Sequence, residues 1–323
     1  MEKLRCFYSA VAPVKMLQVW AALIIGSSAF VRAGDSGGTI YEWGMAIPGW
    51  MTVKSALTNC VQVSGNSGWS LALREDGTML AWGSDSYGQT RIPENATNIA
   101  YSHAGWRHGV AARRDGTLVE WGLATNWASA FPHWVTNAVQ VAGGDFHSGA
   151  LLGDGTVFVW GTRQLTTNVP PQVTDVVQIA SGWYHLLALK RDGTVIAWGE
   201  SAGGQDNTPP ANATNIISIA CGPFHNVALR ADGMVVAWGL NNEGQCDVPG
   251  DLRDVVAVGA GRLHTIAILA DGTVRIWGGG EQGQLDIPPG ASKALYAGQS
   301  HYQVQIIKTS AISPPTGLRI VNP

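Results

Sequence analysis

From His264 to Gly278 the chain reads His-Thr-Ile-Ala-Ile-Leu-Ala-Asp-Gly-Thr-Val-Arg-Ile-Trp-Gly. An apolar and partly β-branched run, Thr265–Leu269, precedes Asp271-Gly272, and an alternating run, Thr273–Trp277, follows it. Asp-Gly predicts a two-residue turn with positive φ at both positions, and the flanking runs predict two antiparallel strands. The stretch therefore predicts a β-hairpin, which on its own would be marginally stable in water.

The same hairpin pattern recurs along the chain with a period of 38–40 residues. A His stands seven residues before each Asp of the Asp-Gly pairs, except in the first copy, where Trp69 takes its place. A period of this size, with strand character throughout, indicates a β-propeller or a β-solenoid. The Asp-Gly pairs begin at Asp76, Asp115, Asp154, Asp192, Asp232 and Asp271, and the Trp-Gly pairs at Trp43, Trp82, Trp121, Trp160, Trp198, Trp238 and Trp277.

The two ends of the repeat region decide between these architectures. Residues 37–44 contain only the second half of a unit, and residues 298–306 contain only the first half. A linear solenoid would need polar caps at its ends. Complementary half-repeats predict instead that the N-terminal strand pairs with the C-terminal half-repeat, which closes a ring and removes exposed edges. We therefore predict an all-β fold, a seven-bladed β-propeller over residues 34–308, with about four short strands in each blade.

The repeated motifs carry a family resemblance. Gly-x-x-His, Asp-Gly-Thr-Val-x-Ala-Trp-Gly and a following Gly-Gln, clearest over 216–245, resemble the regulator-of-chromosome-condensation repeat family. The resemblance covers roughly residues 35–308 and implies seven-bladed propellers, the fold of that family. The segments Gly88–Pro93 and Gly244–Pro249 are similar to a secreted bacterial branch, which includes β-lactamase inhibitory propellers.

The N-terminus has the features of an export signal. Lys3, Arg5 and Lys15 form a basic region, and the apolar run Met16–Phe30 follows. This order predicts a signal peptide over residues 1–33, cleaved after Ala33. The alternative is an uncleaved anchor, for which the apolar run is short. We therefore predict a secreted or periplasmic protein with no stable membrane insertion after cleavage.

Charge bears on the class of partner. Residues 34–323 contain 16 basic and 22 acidic residues, a formal net charge of −6. A nucleic-acid-binding protein needs a basic footprint, so the charge argues against a nucleic-acid partner. Residues 309–323, with Ser313-Pro314-Pro315, are typical of a Pro-rich tail or linker. We predict a monomer.

The repeated His residues raise the question of a metal site. One His in each blade is spread around a ring, whereas a metal ion needs three or four ligands that converge on one point. We therefore predict that each imidazole orders the turn before its strand by hydrogen bonding. No nucleophile elbow, zinc-helix motif or phosphate-binding loop is present, so we predict no catalytic residue, no metal, no cofactor and no enzymatic activity. These residues are His108, His147, His185, His225, His264 and His301.

The two residues between Gly and His vary while their flanks do not. This turn joins two strands, so all copies should lie on one face of the disc, and aromatic and Arg side chains are typical of binding hot spots. In the inhibitory propellers this face supplies aromatic contacts, so the resemblance implies the same role here. The alternative is that these side chains pack on neighbouring blades. The candidate partner-binding residues are Trp106, Arg107, Asp145, Phe146, Trp183, Tyr184, Phe224 and Arg262.

The main hypothesis is thus an exported, non-enzymatic propeller that binds a protein partner. The first alternative is a carbohydrate-binding or hydrolytic propeller, although Glu42 and Glu120, which align with each other before repeat Trp residues, form no convergent acid/base pair. The remote alternative is a nucleotide-exchange factor for a small GTPase, which the family resemblance implies. The loops after Trp121-Gly122 and Trp160-Gly161 lack Gly-Gln, which indicates either individual function or drift.

Overall fold

The structure, a computed structural model, describes residues 38–44, 57–66, 68–123, 131–162, 164–201, 206–298 and 303–308. The predicted signal peptide, the tail at 309–323, and Gln299, Ser300 and His301 lie outside these residues. The described part of the chain contains 21 strands and one short helix, α1 (Gln164–Thr167). None of its helices is long and apolar enough to span a membrane.

The strands form seven antiparallel sheets of three strands, the blades. Blades 1–6 each take three consecutive strands, of which the first lies nearest the central channel. Blade 1 contains β2 (Cys60–Asn66), β3 (Trp69–Arg74) and β4 (Met79–Gly83); blade 2 contains β5 (Ile99–Ala104), β6 (His108–Arg113) and β7 (Leu118–Gly122); blade 3 contains β8 (Ala138–Gly143), β9 (His147–Leu152) and β10 (Val157–Gly161).

The second half of the ring repeats this order. Blade 4 contains β11 (Val176–Ser181), β12 (His185–Lys190) and β13 (Val195–Gly199); blade 5 contains β14 (Ile216–Cys221), β15 (His225–Arg230) and β16 (Val235–Gly239); blade 6 contains β17 (Val255–Ala260), β18 (His264–Leu269) and β19 (Val274–Gly278). Blade 7 contains β20 (Ala294–Gly298), β21 (Gln303–Lys308) and, from the other end of the chain, β1 (Thr39–Gly44).

Blade 7 confirms the predicted closure. Strand β1 pairs antiparallel with β21, from Thr39 opposite Lys308 to Gly44 opposite Gln303. On one side, Gly38 N donates to Cys60 O of blade 1 at 3.0 Å. On the other, Trp43 Nε1 donates to Gln284 O, in the loop after blade 6, at 2.9 Å. The seven-bladed propeller predicted from the half-repeats is therefore the observed fold.

The expectation of about four strands in each blade is wrong for the described residues, where each blade has three. In the loops after blades 1, 5 and 6 the chain folds back on itself in a tight turn. In the loop after blade 1, Gly88 N donates to Asp85 O at 3.0 Å, and the Gln89 side chain accepts from Tyr87 N at 2.8 Å. These local bonds engage backbone groups that a fourth strand would need for pairing.

The Asp-Gly hairpin also differs from its prediction. Leu269 N donates to Thr273 O at 2.9 Å, and Gly272 N donates to Leu269 O at 2.8 Å, so the loop has three residues rather than two. Gly272 has a φ of 81°, whereas Asp271 has a negative φ. Asp271 instead accepts from Thr273 N at 2.8 Å through its carboxylate. The loop is a turn followed by a left-handed Gly, a common three-residue hairpin.

The hydrophobic core lies between neighbouring blades. Val227 and Leu229 of blade 5, for example, pack in one cluster with Val258 and Trp277 of blade 6. Since each cluster is shared by two blades, a blade cannot bury its apolar faces alone, and the fold depends on the complete ring.

Candidate protein-binding face

The turns between the first and second strands lie on one face of the disc, and the Asp-Gly hairpins lie on the opposite face, because the strands of each blade are antiparallel. Backbone hydrogen bonds join consecutive turns. Trp106 N donates to Gly144 O and Asp145 N donates to Trp183 O, each at 3.0 Å, and Trp183 N donates to Pro223 O at 3.4 Å. The turns of blades 2–5 therefore form a continuous, fixed arc.

Five aromatic side chains on this arc contact one another, and we call them the aromatic crown: Trp106, Phe146, Trp183, Tyr184 and Phe224. The ring centroids of Trp106 lie 5.7 Å from those of Phe146 and 6.0 Å from those of Trp183. Trp183 in turn lies 6.1 Å from Tyr184 and 4.9 Å from Phe224, both edge to face. Such contacts stabilise aromatic pairs beyond simple burial.

Arg107 extends the aromatic crown toward blade 1. Its Cζ lies 3.6 Å from the ring centroid of Trp106 and 4.5 Å from that of Tyr87, which stands in the loop after blade 1. The guanidinium is thus held by two cation–π contacts. Tyr87 is 42% exposed, so the contact brings an accessible ring to the edge of the aromatic crown.

The eight candidate residues do not share one environment. The crown residues and Arg107 are half-buried, so both readings of the sequence describe part of the geometry: the rings pack on neighbouring blades and also form a surface. Asp145 is buried, with 2% of its surface exposed, and its backbone joins two turns. Arg262 is half-buried on the turn of blade 6, beyond Phe224. The structure therefore brings together six of the eight candidates.

The repeat His residues hold the blades together beneath this face. His108 Nε2 lies 2.9 Å from Ser148 Oγ, His185 Nε2 lies 2.7 Å from Asn226 Oδ1, and each bond joins one blade to the next. Trp69 does the same, donating to Gly105 O of blade 2 at 2.9 Å. The prediction that each imidazole hydrogen-bonds within its own turn is wrong for His108, His147, His185 and His225. The Nε2 atom of each of these rings bonds to a side chain of the following blade.

The imidazoles of His108, His185 and His225 are neutral in the folded protein at neutral pH. Burial lowers the pKa of His108 and of His225 to about 3, and that of His185 to about 4. Nearby His side chains lower the pKa of His108 and His225 further. In the described part of the chain no three His, Cys, Asp or Glu side chains are grouped so that they could hold a metal ion.

The repeat Trp residues form a second set of hydrogen bonds between blades. The acceptors of these bonds explain why Glu42 and Glu120 depart from the repeat pattern. In the Gly-Gln loops after blades 1, 5 and 6, the Gln carbonyl accepts from the indole of the next blade; Trp121 Nε1, for example, donates to Gln89 O at 2.8 Å. After blade 4 the acceptor is Asn207 O, which accepts from Trp238 Nε1 at 2.9 Å. After β1 and after blade 2, where that motif is missing, the carboxylates of Glu42 and Glu120 are the acceptors. Trp82 donates to Glu42 Oε2 at 3.0 Å and Trp160 donates to Glu120 Oε2 at 3.1 Å.

The sequence singled out these two glutamates by their alignment but did not predict that they accept hydrogen bonds from the repeat Trp residues. The serine after the first residue of the second strand also donates to each carboxylate, Ser70 to Glu42 at 2.9 Å and Ser148 to Glu120 at 2.5 Å. The sequence pattern could have indicated this role, because both glutamates precede a loop without Gly-Gln. In the loop after blade 3, also without Gly-Gln, Thr166 O of α1 accepts from Trp198 at 3.0 Å.

The central channel is filled by side chains of the first strands. Gln140 Nε2 donates to the Tyr101 hydroxyl at 3.0 Å. Tyr296 is hydrogen-bonded to Gln62, and burial raises the pKa of its hydroxyl. The remaining cavity has a volume of about 30 Å³, which holds one or two water molecules. This cavity is too small for a sugar.

Comparison with known proteins identifies the family to which the repeats belong. A family model described as the regulator of chromosome condensation (RCC1) repeat matches residues 60–89, 176–205, 216–245 and 255–284. The chain contains RCC1 repeats. The four matched RCC1 repeats fall in blades 1, 4, 5 and 6, and the other blades share their three-stranded arrangement. No curated protein sequence matches the chain.

Solved structures agree with an RCC1 propeller fold. Prp20p from Saccharomyces cerevisiae is 17% identical with a TM-score of 0.68, over 85% of this chain and 92% of that one. Human WBSCR16 is 15% identical with a TM-score of 0.67, over 84% and 100%. The ectodomain of the Arabidopsis thaliana receptor kinase ACR4 is 20% identical with a TM-score of 0.57, over 68% and 80%. At these identities the likeness concerns the fold alone.

Proposed function

We propose that this RCC1-repeat propeller is exported, has no enzymatic activity, and binds another protein through the aromatic crown. The observation that carries the proposal is the arc of five contacting aromatic rings, held by backbone bonds between turns. Large aromatic side chains on a rigid support lose little conformational entropy on binding and are enriched in hot spots. The signal-like N-terminus supports export.

The chemistry of the face favours a protein over the other partner classes. The rings offer apolar area with few cations, whereas a nucleic-acid site needs clustered basic residues. The similar structures point the same way. Prp20p is described by its binding to Gsp1p and histones, and yeast RCC1 has been solved bound to Kap60. A protein partner for the present chain is our proposal by analogy with these relatives.

A hydrolytic function finds little support in the buried polar groups. Ser148, His108 and Glu120 lie close together, with His108 Nε2 at 3.8 Å from Glu120 Oε1. The serine hydroxyl stands between the imidazole and the carboxylate, whereas a catalytic triad needs the imidazole in the middle. All three side chains are also buried between blades, where no substrate reaches them.

Nucleotide exchange on a small GTPase is the second candidate function, because the propellers of similar fold include Prp20p, described as binding Gsp1p. The acidic net charge of residues 34–323 and the predicted export signal count against it. A GDP-release assay with a panel of small GTPases tests it directly. Accelerated release would favour exchange over the exported binder.

The main test is affinity capture from envelope and culture-supernatant proteins, with the purified chain as bait. The variant Trp106→Ala/Trp183→Ala/Tyr184→Ala removes most of the aromatic crown. Trp134→Ala is the matched control, since Trp134 is 64% exposed and lies outside the aromatic crown, against Phe158 of blade 3. The proposal requires a protein that the wild type and the control retain and the triple variant loses.

The triple variant must have the melting temperature of the wild type for the comparison to count. Phe224→Ala, at the end of the aromatic crown, is the fallback if the triple variant is unstable. Equal retention by all variants would remove the aromatic crown from the interface, and retention of no protein by any bait would overturn protein binding from these sources.

A further inference from the structure

We propose that Arg107 is the charged anchor of this surface, and that the partner presents an Asp or Glu side chain to it beside apolar residues. The inference rests on the proposed protein-binding function and names the chemistry of the partner. It starts from the position of the guanidinium, 3.6 Å from the ring centroid of Trp106 and 4.5 Å from that of Tyr87.

Stacking fixes the guanidinium without using its hydrogen-bond donors. The contacts with Trp106 and Tyr87 engage the flat faces, whereas the five N–H donors of a guanidinium point outward in its plane. Within the described ranges no oxygen accepts a hydrogen bond from the Arg107 side chain, and no carboxylate lies within ion-pair distance of it. Arg107 is therefore oriented in advance for a planar, two-oxygen acceptor.

The nearest acidic residue of the Tyr87 loop is already engaged. Asp85 Oδ2 accepts from Arg91 Nε at 2.7 Å, and Asp85 Oδ1 accepts from Thr90 N at 3.1 Å. These bonds tie the carboxylate to its own loop, and they lower its pKa. Among the described residues Asp85 is therefore not the acceptor for Arg107, and we assign that acceptor to another molecule.

Other arginines of the chain show the usual internal arrangement. Arg275 makes three contacts of 3.0–3.2 Å with the Asp251 carboxylate, and Arg230 pairs with Asp232 at 2.9 Å. Arg113 donates to Asn95 O at 2.8 Å and Arg114 donates to Glu75 O at 2.9 Å. Arg107 differs from these in having aromatic rings as its only described side-chain partners.

The surroundings favour a carboxylate over a phosphate group. One guanidinium matches one carboxylate, whereas phosphate-binding surfaces gather several cations. Two glutamates also lie in the outer loops of this face: Glu200 N is bonded to Tyr184 O at 2.8 Å, and Glu243 lies beside the turn of blade 6.

The apolar neighbours define the rest of the recognised motif. Trp106 carries Arg107 on its ring and contacts Phe146 and Trp183. An acidic side chain bound at Arg107 therefore places the adjacent partner residues over the rings of the aromatic crown. Exclusion of water by those rings strengthens the ion pair.

The test is selection of a random dodecapeptide library on the immobilised full chain, followed by affinity measurement on the enriched peptides by titration calorimetry. Enriched peptides should share an Asp or Glu next to aromatic or aliphatic residues. Replacing that Asp by Asn, or using Arg107→Ala or Arg107→Lys, should weaken binding by about tenfold, and combining the two changes should add little. Arg107→Lys matters because it keeps the charge but not the planar fork.

Arg114→Ala is the matched control, since it removes an exposed arginine from the opposite face of the disc and should leave affinity unchanged. Peptides that need Trp106 and Trp183 but carry no shared acidic residue would overturn the role of Arg107 and leave the proposed function standing. Acidic peptides that bind equally to Arg107→Ala would also overturn it. A library in which no peptide depends on the aromatic crown would overturn both proposals.

Discussion

The carboxylate of Glu120 on blade 2 accepts a hydrogen bond from Trp160 Nε1 on blade 3 at 3.1 Å. The same carboxylate accepts from Ser148 at 2.5 Å, and the side chain is only 4% exposed. Elsewhere a loop carbonyl does this work, as Gln245 O does for Trp277 at 3.1 Å. The repeat Trp residues thus keep a hydrogen bond to the preceding blade where the Gly-Gln motif is absent. There the glutamate carboxylate is the acceptor, and no loop carbonyl is needed.

Glu120→Ala should lower the free energy of unfolding by about 2–3 kcal/mol, because it leaves the buried Trp160 and Ser148 donors without their acceptor. Glu120→Gln keeps one acceptor oxygen and should cost less. Urea denaturation followed by tryptophan fluorescence measures both. Glu281→Ala, an exposed glutamate, is the control and should change the free energy by less than about 0.5 kcal/mol.

Glu42→Ala should be more damaging than Glu120→Ala. Glu42 accepts from three side chains, Ser70 at 2.9 Å, Trp82 at 3.0 Å and Gln305 at 2.6 Å. These bonds join the N-terminal strand β1 to β21 and to blade 1, so their loss loosens the closure of the ring. Equal urea midpoints for the two alanine variants would contradict this ranking.

Alanine substitutions at two glycines with the same backbone conformation distinguish the cost of backbone strain from the cost of a steric clash. Gly272 and Gly283 have φ values of 81° and 79°, so alanine is strained equally at both. A Cβ at Gly272 would lie 2.5 Å from Lys293 Cα, whereas one at Gly283 would meet only Asp286 Oδ2, at 3.5 Å. Gly272→Ala should therefore lower the free energy of unfolding by about 1–3 kcal/mol more than Gly283→Ala. Similar melting temperatures would show that the hairpin shifts freely against the next blade.

The ring architecture was predictable because it depends on positions that every copy repeats. The half-repeats at residues 37–44 and 298–306 predict the pairing of β1 with β21, and strand order alone predicts that Trp106, Trp183 and Phe224 lie on one face. The number of strands was not predictable in the same way. In the loop after blade 1, for example, the bond from Tyr87 N to Gln89 Oε1 holds the chain in a turn rather than in a fourth strand.

The side-chain contacts of the site join different blades, and the sequence of a single repeat does not predict them. The sequence places an aromatic residue at Trp183, but not its contacts with Trp106 on one side and Phe224 on the other. Arg107 was a candidate only because Arg is a residue type that is enriched in binding hot spots. Its position over Tyr87, some 20 residues earlier in another blade's loop, follows only from the packing of blades 1 and 2.

The buried imidazoles predict that the fold is sensitive to mild acid. The folded pKa values of His108, His185 and His225 are about 3, 4 and 3, whereas the unfolded chain binds protons with a pKa of about 6.5. The unfolded state therefore binds more protons below about pH 6.5, so their contribution to stability is present above that pH and is lost as the pH falls toward the folded values. Between about pH 6.5 and pH 4.5 each imidazole should cost roughly 2 kcal/mol. The free energy of unfolding, measured by urea denaturation across this window, should fall accordingly, and His225→Gln should reduce the slope by about 1.4 kcal/mol per pH unit. A variant slope equal to that of the wild type would show that His225 takes up its proton without unfolding.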